Sequence, residues 1–182
     1  MSTSTLIGPV QRQCLINNSA CDGAIIKVGS SSTIGTSPFT YGGTFYGTAP
    51  NQRVVTSVAT TDPIGGLICQ GGAFTNDSAG TQLLCNLKIT AGPMCLHFDD
   101  DNLTTCGLYS AINANDGSAQ VVQEGDSGGP VETTSGSTAA VARGEIVGGE
   151  GAVEIGHDNN LLYLPMRVVE GTFDVKTQLY GG

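Results

Sequence analysis

Apolar residues in this chain recur in short runs and show little helical spacing. "GAIIKVG" (23–29), "QRVVTSVA" (52–59), "GGLICQGG" (65–72), "LLCNLKIT" (83–90), "TCGLYSAI" (105–112), "AQVVQ" (119–123), "AAVARGEIVGG" (139–149) and "NNLLYLPM" (159–166) each read as a strand. They are rich in Val, Ile, Leu or Thr and are bounded by Gly, Asn, Asp or Ser. Eight such runs predict an all-β barrel or sandwich. "ETTSGSTAA" (132–140) predicts a polar hairpin turn. A short helix is expected near Val168 to Thr172, and "FDVKTQL" (173–179) reads as its continuation or as a strand. "GSSSTIGTSP" (29–38) is the polar stretch best suited to join two lobes. "DDD" at 99–101 reads as a solvated hairpin tip. A calcium site needs six or more oxygens, and nothing nearby supplies the rest, so no metal site is expected.

Composition narrows the picture. The chain has 182 residues, 27 of them Gly, and only 13% are charged, which is too apolar for a disordered protein. Its net charge of -9 repels phosphate backbones and argues against a nucleic-acid partner. No apolar run is long enough to span a bilayer, and residues 1–20 lack the basic start and apolar core of a signal peptide. Six cysteines fall as neighbouring pairs: Cys14 with Cys21, Cys69 with Cys85, Cys95 with Cys106. Their spacing suits disulfides within hairpins, and none has the Cys-x-x-Cys form of a zinc knuckle. Glycosylation sequons begin at Asn17, Asn76 and Asn102. Together these features predict an oxidising, extracytoplasmic setting and a secreted glycoprotein. The alternative is a reduced protein with buried thiols and chance sequons.

The candidate chemistry lies in "EGDSGGPV" (124–131). A serine nucleophile needs a base for its proton and donors for the oxyanion. Glycines on both sides of Ser127 let the chain turn where a side chain would clash. The N–H groups of Gly125 and Ser127 are the expected oxyanion donors. Gly128 and Gly129 keep the floor open, Pro130 ends the turn and Val131 begins the next strand. A plain surface turn uses the same residue types; six specified positions in a row among strands and paired cysteines favour the nucleophile.

In these residues the chain resembles the chymotrypsin-like serine proteases, above all the small bacterial, streptogrisin-like members. "GLICQGG" followed by "LLCNLKIT" is similar to the disulfide-closed hairpin that opens their second barrel. "TCGLYSAI" and "AQVVQEGDSGGPV" resemble the approach to the serine loop. "AAVARGEIVGGEG" resembles the next hairpin, and "NNLLYLPMRVV" the last strand and closing helix. The resemblance implies a double β-barrel, with residues 59–182 a complete second barrel and residues 1–58 a partial first one. It implies a serine endopeptidase acting on polypeptides, with no cofactor. "CDGAIIKVG" is similar to the family's aspartate element and makes Asp22 the acid that orients the histidine; taken alone, Asp22 reads as a turn residue before a strand. The resemblance places the primary pocket at Val121, Val122 and Glu124 and along Ile146, Val147, Gly148 and Gly149. Two valines and an isoleucine there imply an apolar or medium-sized substrate side chain, unless Glu145, Glu150 or Glu154 points inward to favour a basic one. Asp126, buried in the family, needs a partner. The bacterial enzymes use an Arg where this chain has Gln70, which leaves Lys88, Arg143 or a water as substitutes.

One departure is large. The family's histidine precedes its aspartate, and no histidine precedes Asp22; the two present are His97 and His157. Three explanations compete. The histidine strand belongs to residues outside this sequence, "LIGPVQRQCLI" (6–16) then being the penultimate strand of the first barrel. Or the chain is an inactive protease-like binding module. Or His97 or His157 serves as base in a rearranged site. A weaker reading is an ester hydrolase with the same loop. A first barrel without its early strands would expose unpaired edges. Residues 1–58 are therefore expected to be mobile, differently folded, or covered by another chain or segment that completes the barrel.

Overall fold

The computed structural model describes residues 10–14, 23–26, 39–41, 52–72, 74, 83–98, 103–136, 138–154 and 157–179. Asp22, Cys21, the three sequon asparagines, the 29–38 connection and the 99–101 tip lie outside them. The described elements are eleven strands and one helix: β1 Val10–Cys14, β2 Gly23–Ile26, β3 Phe39–Tyr41, β4 Gln52–Val58, β5 Leu67–Gln70, β6 Leu84–Phe98, β7 Leu103–Asn113, β8 Val122–Gln123, β9 Pro130–Ser135, β10 Ala139–Glu154, β11 His157–Pro165 and α1 Met166–Phe173. The molecule is all-β, as the short apolar runs predict.

Six strands close on themselves. β10 pairs with β9, β9 with β5, β5 with β6, β6 with β7, β7 with β11, and β11 returns to β10. Every link in this ring is antiparallel. Closure removes the sheet edge that an open six-stranded sheet would expose. Period-2 alternation fills the ring. Ile68, Leu87, Ile89, Tyr109, Ala111, Val131, Ile146, Leu161 and Tyr163 form one buried cluster with Val121 and Val122. Leu108 and Leu164 belong to a second cluster with Val169 and Phe173 of α1. "LLYLP" therefore reads as an unbroken apolar run because its two faces meet two different cores.

β4 extends this sheet. It runs parallel to β10, with Val54 opposite Ala139 and Val58 opposite Ala142, and β3 pairs with its other side. The strand thus lies N-terminal to the boundary expected at residue 58 and is hydrogen-bonded to the barrel beyond it. β1 and β2 form a separate two-stranded sheet.

Three elements differ from the sequence reading. β6 continues past Thr90, where the apolar run ends, to Phe98; the sheet absorbs Gly92 and Pro93 at a register shift between Ala91 and Met94. "AQVVQ" contributes only Val122–Gln123. The helix ends at Phe173, and Asp174 takes a left-handed conformation (φ 53°), so "FDVKTQL" forms no strand.

A buried polar cluster fastens α1 and the β4–β5 link to the barrel. The Asp62 side chain is fully buried and pairs with Arg167, with Arg143 at 3.5 Å, and with the Tyr163 hydroxyl, which donates to it at 3.2 Å. Arg143 also donates to the Thr61 carbonyl (2.6 Å) and to Thr133 Oγ1 (2.7 Å). Arg167 donates to the Tyr109 hydroxyl and lies over the Tyr109 ring. Burial, then the adjacent Asp62 carboxylate, pushes the Tyr163 phenol well above its ordinary range. Among the described residues, two disulfides, Cys69–Cys85 and Cys95–Cys106, match the expected pairing.

Candidate active site

The serine loop joins β8 to β9 and is built from tight backbone bonds. The Asp126 N–H donates to the Gln123 carbonyl (3.1 Å) and the Gly129 N–H to the Asp126 carbonyl (2.9 Å). Gly125 and Gly128 have φ of 93° and 80°, the left-handed region that favours glycine. The loop is docked on β10 through two further bonds, Gly128 N–H to the Ile146 carbonyl and Ile146 N–H to the Gly129 carbonyl, both 2.8 Å. Ser127 is exposed, and its Oγ donates to the Val147 carbonyl at 3.1 Å. Among the described residues, neither the Gly125 N–H nor the Ser127 N–H is taken by a backbone carbonyl.

Asp126 explains the loop's shape. It is 1% exposed, a costly place for a carboxylate without partners. Its Oδ1 accepts the Phe74 N–H at 2.8 Å and its Oδ2 the Gln123 N–H at 3.0 Å. The cations named as substitutes lie elsewhere. Arg143 is bound to Asp62, and Lys88 is exposed on β6. Gln70, fully buried, donates to the Val121 carbonyl at 2.9 Å and accepts the Gly72 N–H. It thereby braces the two backbone segments that flank Asp126.

The strand beside the loop has one open edge. Along one side, β10 pairs first with β4 and then, from Gly144, with β11. Along the other side it pairs with β9 as far as Glu145, and the serine loop takes Ile146. From Val147 onward that side carries no strand among the described residues. The β10–β11 register slips between Ile146 and Gly148, so Val147 sits at a bulge opposite Ser127.

The residues expected to line a primary pocket separate into two groups. Glu124 is exposed, and Val147, Gly148 and Gly149 are half-buried along the open edge. Val121, Val122 and Ile146 are buried in the barrel's core cluster. Apolar side chains at the barrel end gain more from core contact than from lining a cleft. A Cβ placed on Gly149 would lie 2.5 Å from Val122 Cγ1 and 2.6 Å from Asp158 Cβ. The space beside this glycine is thus occupied by Val122 and by Asp158, a residue the sequence reading did not single out. Asp158 is the second residue of β11, with an Asn-Asn pair behind it, a pattern that reads as a turn. Phe74 was also missed. Its ring would lie 2.8 Å from a Cβ on Gly125.

His97 is exposed near the end of β6, with its Nδ1 3.1 Å from Thr104 Oγ1. His157 opens β11, with its backbone opposite Gln123. Among the described residues, no helix is long and apolar enough to cross a membrane.

Comparison with known proteins bears on the fold. No family model and no curated protein matches the chain. Solved structures do. Protease A of Thermobifida fusca superposes with a TM-score of 0.57 at 21% identity, over 86% of this chain and 68% of that one. A chymotrypsin of Cellulomonas bogoriensis gives 0.56 at 20% identity, over 86% and 69%. A glutamic-acid-specific serine protease, which uses a histidine triad in substrate binding, gives 0.58 at 17% identity, over 85% and 66%. The chain therefore has the fold of bacterial chymotrypsin-like serine proteases and spans about two thirds of the length of these structures.

Proposed function

We propose that this protein is a serine endopeptidase with Ser127 as its nucleophile. The observation that carries the reading is the placement of an exposed serine hydroxyl at the start of an unpaired strand edge, 3.1 Å from the Val147 carbonyl. An extended polypeptide adds to such an edge by main-chain hydrogen bonds. That addition along Val147 to Gly149 brings a peptide carbonyl to Ser127 Oγ. Attack forms a bond from Oγ to the carbonyl carbon, and the oxyanion accepts the Gly125 and Ser127 N–H groups. The serine proton passes to a histidine and from it to the leaving amine; water then hydrolyses the acyl-enzyme. In this reading the histidine comes from residues N-terminal to this sequence or from a chain that completes the first barrel. Asp22 orients it. Residues 1–58 then belong to that first barrel and residues 59–182 to the second. The disulfides support an oxidising, extracytoplasmic location.

A second reading, a protease-like binding module, has its own support. The Ser127 hydroxyl is already used by the Val147 carbonyl, and Val122 and Asp158 occupy the space beside Gly149. Cleavage of an unstructured protein, followed by mass spectrometry, separates the two. The endopeptidase reading expects new termini from the chain extended at its N-terminus, and none from Ser127→Ala. Binding without cleavage by the extended chain leaves only the module.

A further inference from the structure

Phe74 is 58% exposed, yet its backbone is pinned: its N–H donates to Asp126 Oδ1 at 2.8 Å. Its ring packs against Gly125, where a Cβ would meet ring carbons at 2.8 Å. The other limb of the loop is held by β10. Ser127, Gly128 and Gly129 bond to β10 at Ile146 and Val147. Phe74 therefore holds the entry limb and β10 the exit limb, with Ser127 between them.

We infer that Phe74 is a specificity residue that selects an apolar or aromatic side chain on the amine-leaving half of the substrate. This rests on the endopeptidase reading. There the acyl half lies along β10, so the half that leaves with the amine must run off past Gly125, onto the exposed ring. An exposed phenyl ring favours an apolar partner, because each covers the other from water. Its tie to Asp126 also couples its position to the carboxylate that shapes the serine loop. A methyl group on Gly125 would displace the ring, so the glycine serves the shelf as well as the turn.

The test is equilibrium binding of small leaving-group mimics, which requires no turnover. Amide shifts of Gly125 and Ser127 are followed by NMR in the full chain during titration with Phe-Leu-amide and with Gly-Gly-amide. The expected result is tighter binding of Phe-Leu-amide by about fivefold, the scale of one aromatic contact. That preference disappears in Phe74→Ala and persists in Phe74→Leu. Equal affinity for the two amides in the wild-type chain overturns the inference, as does a preference unchanged in Phe74→Ala or shifts confined to another face. Fluorophosphonate labelling of Ser127 keeps the two claims apart. A labelled Ser127 with no amide preference removes the inference and leaves the endopeptidase reading. Amide preference at Gly125 without labelling keeps Phe74 as a peptide-selecting residue of the binding module and removes the enzyme.

Discussion

Two buried carboxylates in this molecule are held in different ways. Asp62 is buried against two guanidinium groups and a phenol. Asp126 lies under the serine loop and takes backbone N–H groups from Phe74 and Gln123. The first arrangement joins elements that are far apart in sequence: the β4–β5 link, β10, β11 and α1. The second fixes the path of a few residues. Charge pairs between long side chains act as fasteners; a carboxylate that gathers backbone donors sets dihedral angles. Stability and loop geometry therefore depend on different aspartates, and this can be tested.

The largest expected effect is on the Asp62 side. Arg167→Leu leaves a fully buried carboxylate with only Arg143 at 3.5 Å and the Tyr163 hydroxyl, and should lower unfolding free energy by about 3 kcal/mol in a denaturant titration. Below its melting temperature, this variant should still react at Ser127 with a fluorophosphonate at the wild-type rate. A tenfold loss of reactivity in the folded variant would merge the two regions and defeat the comparison. Asp126→Ala comes next. Two backbone N–H groups lose their acceptor, for a stability loss of about 2 kcal/mol. Ser127 reactivity should fall at least about tenfold, the equivalent of 1.4 kcal/mol in loop geometry. A stable variant with unchanged reactivity would show that the loop does not need its carboxylate.

Gly125→Ala probes the same loop from its other side. An alanine at φ 93° that also meets the Phe74 ring should cost about 1–2 kcal/mol of stability. Wild-type melting behaviour would mean that the loop relaxes freely. The smallest effect is at high pH. The Tyr163 phenol is raised by burial and by Asp62, so the folded state holds its proton more tightly than the unfolded chain. The stabilisation is complete below the unfolded phenol's pKa of about 10 and declines as pH rises beyond it. Tyr163→Phe should flatten that alkaline decline, as read from melting temperatures between pH 8 and about pH 11. A wild-type slope in this variant would assign the decline to other groups.

Local pattern made the strands and the serine loop legible. Short β-rich runs between turn residues mark most of the barrel, and the crowding of Gly, Ser and Pro around Ser127 marks the loop. What failed to show was interaction across the ring. "TTDP" (60–63) reads as a plain turn, and only the closure that brings Arg143, Tyr163 and Arg167 to one place turns Asp62 into a staple. The same holds for Asp126. Its need for a partner is visible in the sequence and points to a cation or a water, whereas Phe74 and Gln123 hold it with backbone N–H groups that almost any residue type carries. The family resemblance places Val121 and Val122 at the pocket; their burial follows from β8 pairing with β11, with Val122 opposite Asp158. The length of β6 was likewise hidden: past Thr90 it crosses Gly92 and Pro93, which only a neighbouring strand with an irregular register accommodates.

The central claim is that Ser127 is presented as a nucleophile. Its most direct test is intact-mass detection of a fluorophosphonate adduct, with the site mapped by peptide fragmentation. It should be run on this chain and on a form extended at its N-terminus. The account predicts a single adduct on Ser127, absent in Ser127→Ala and formed faster in the extended form. No adduct in either form, with the protein shown to be folded, would contradict it.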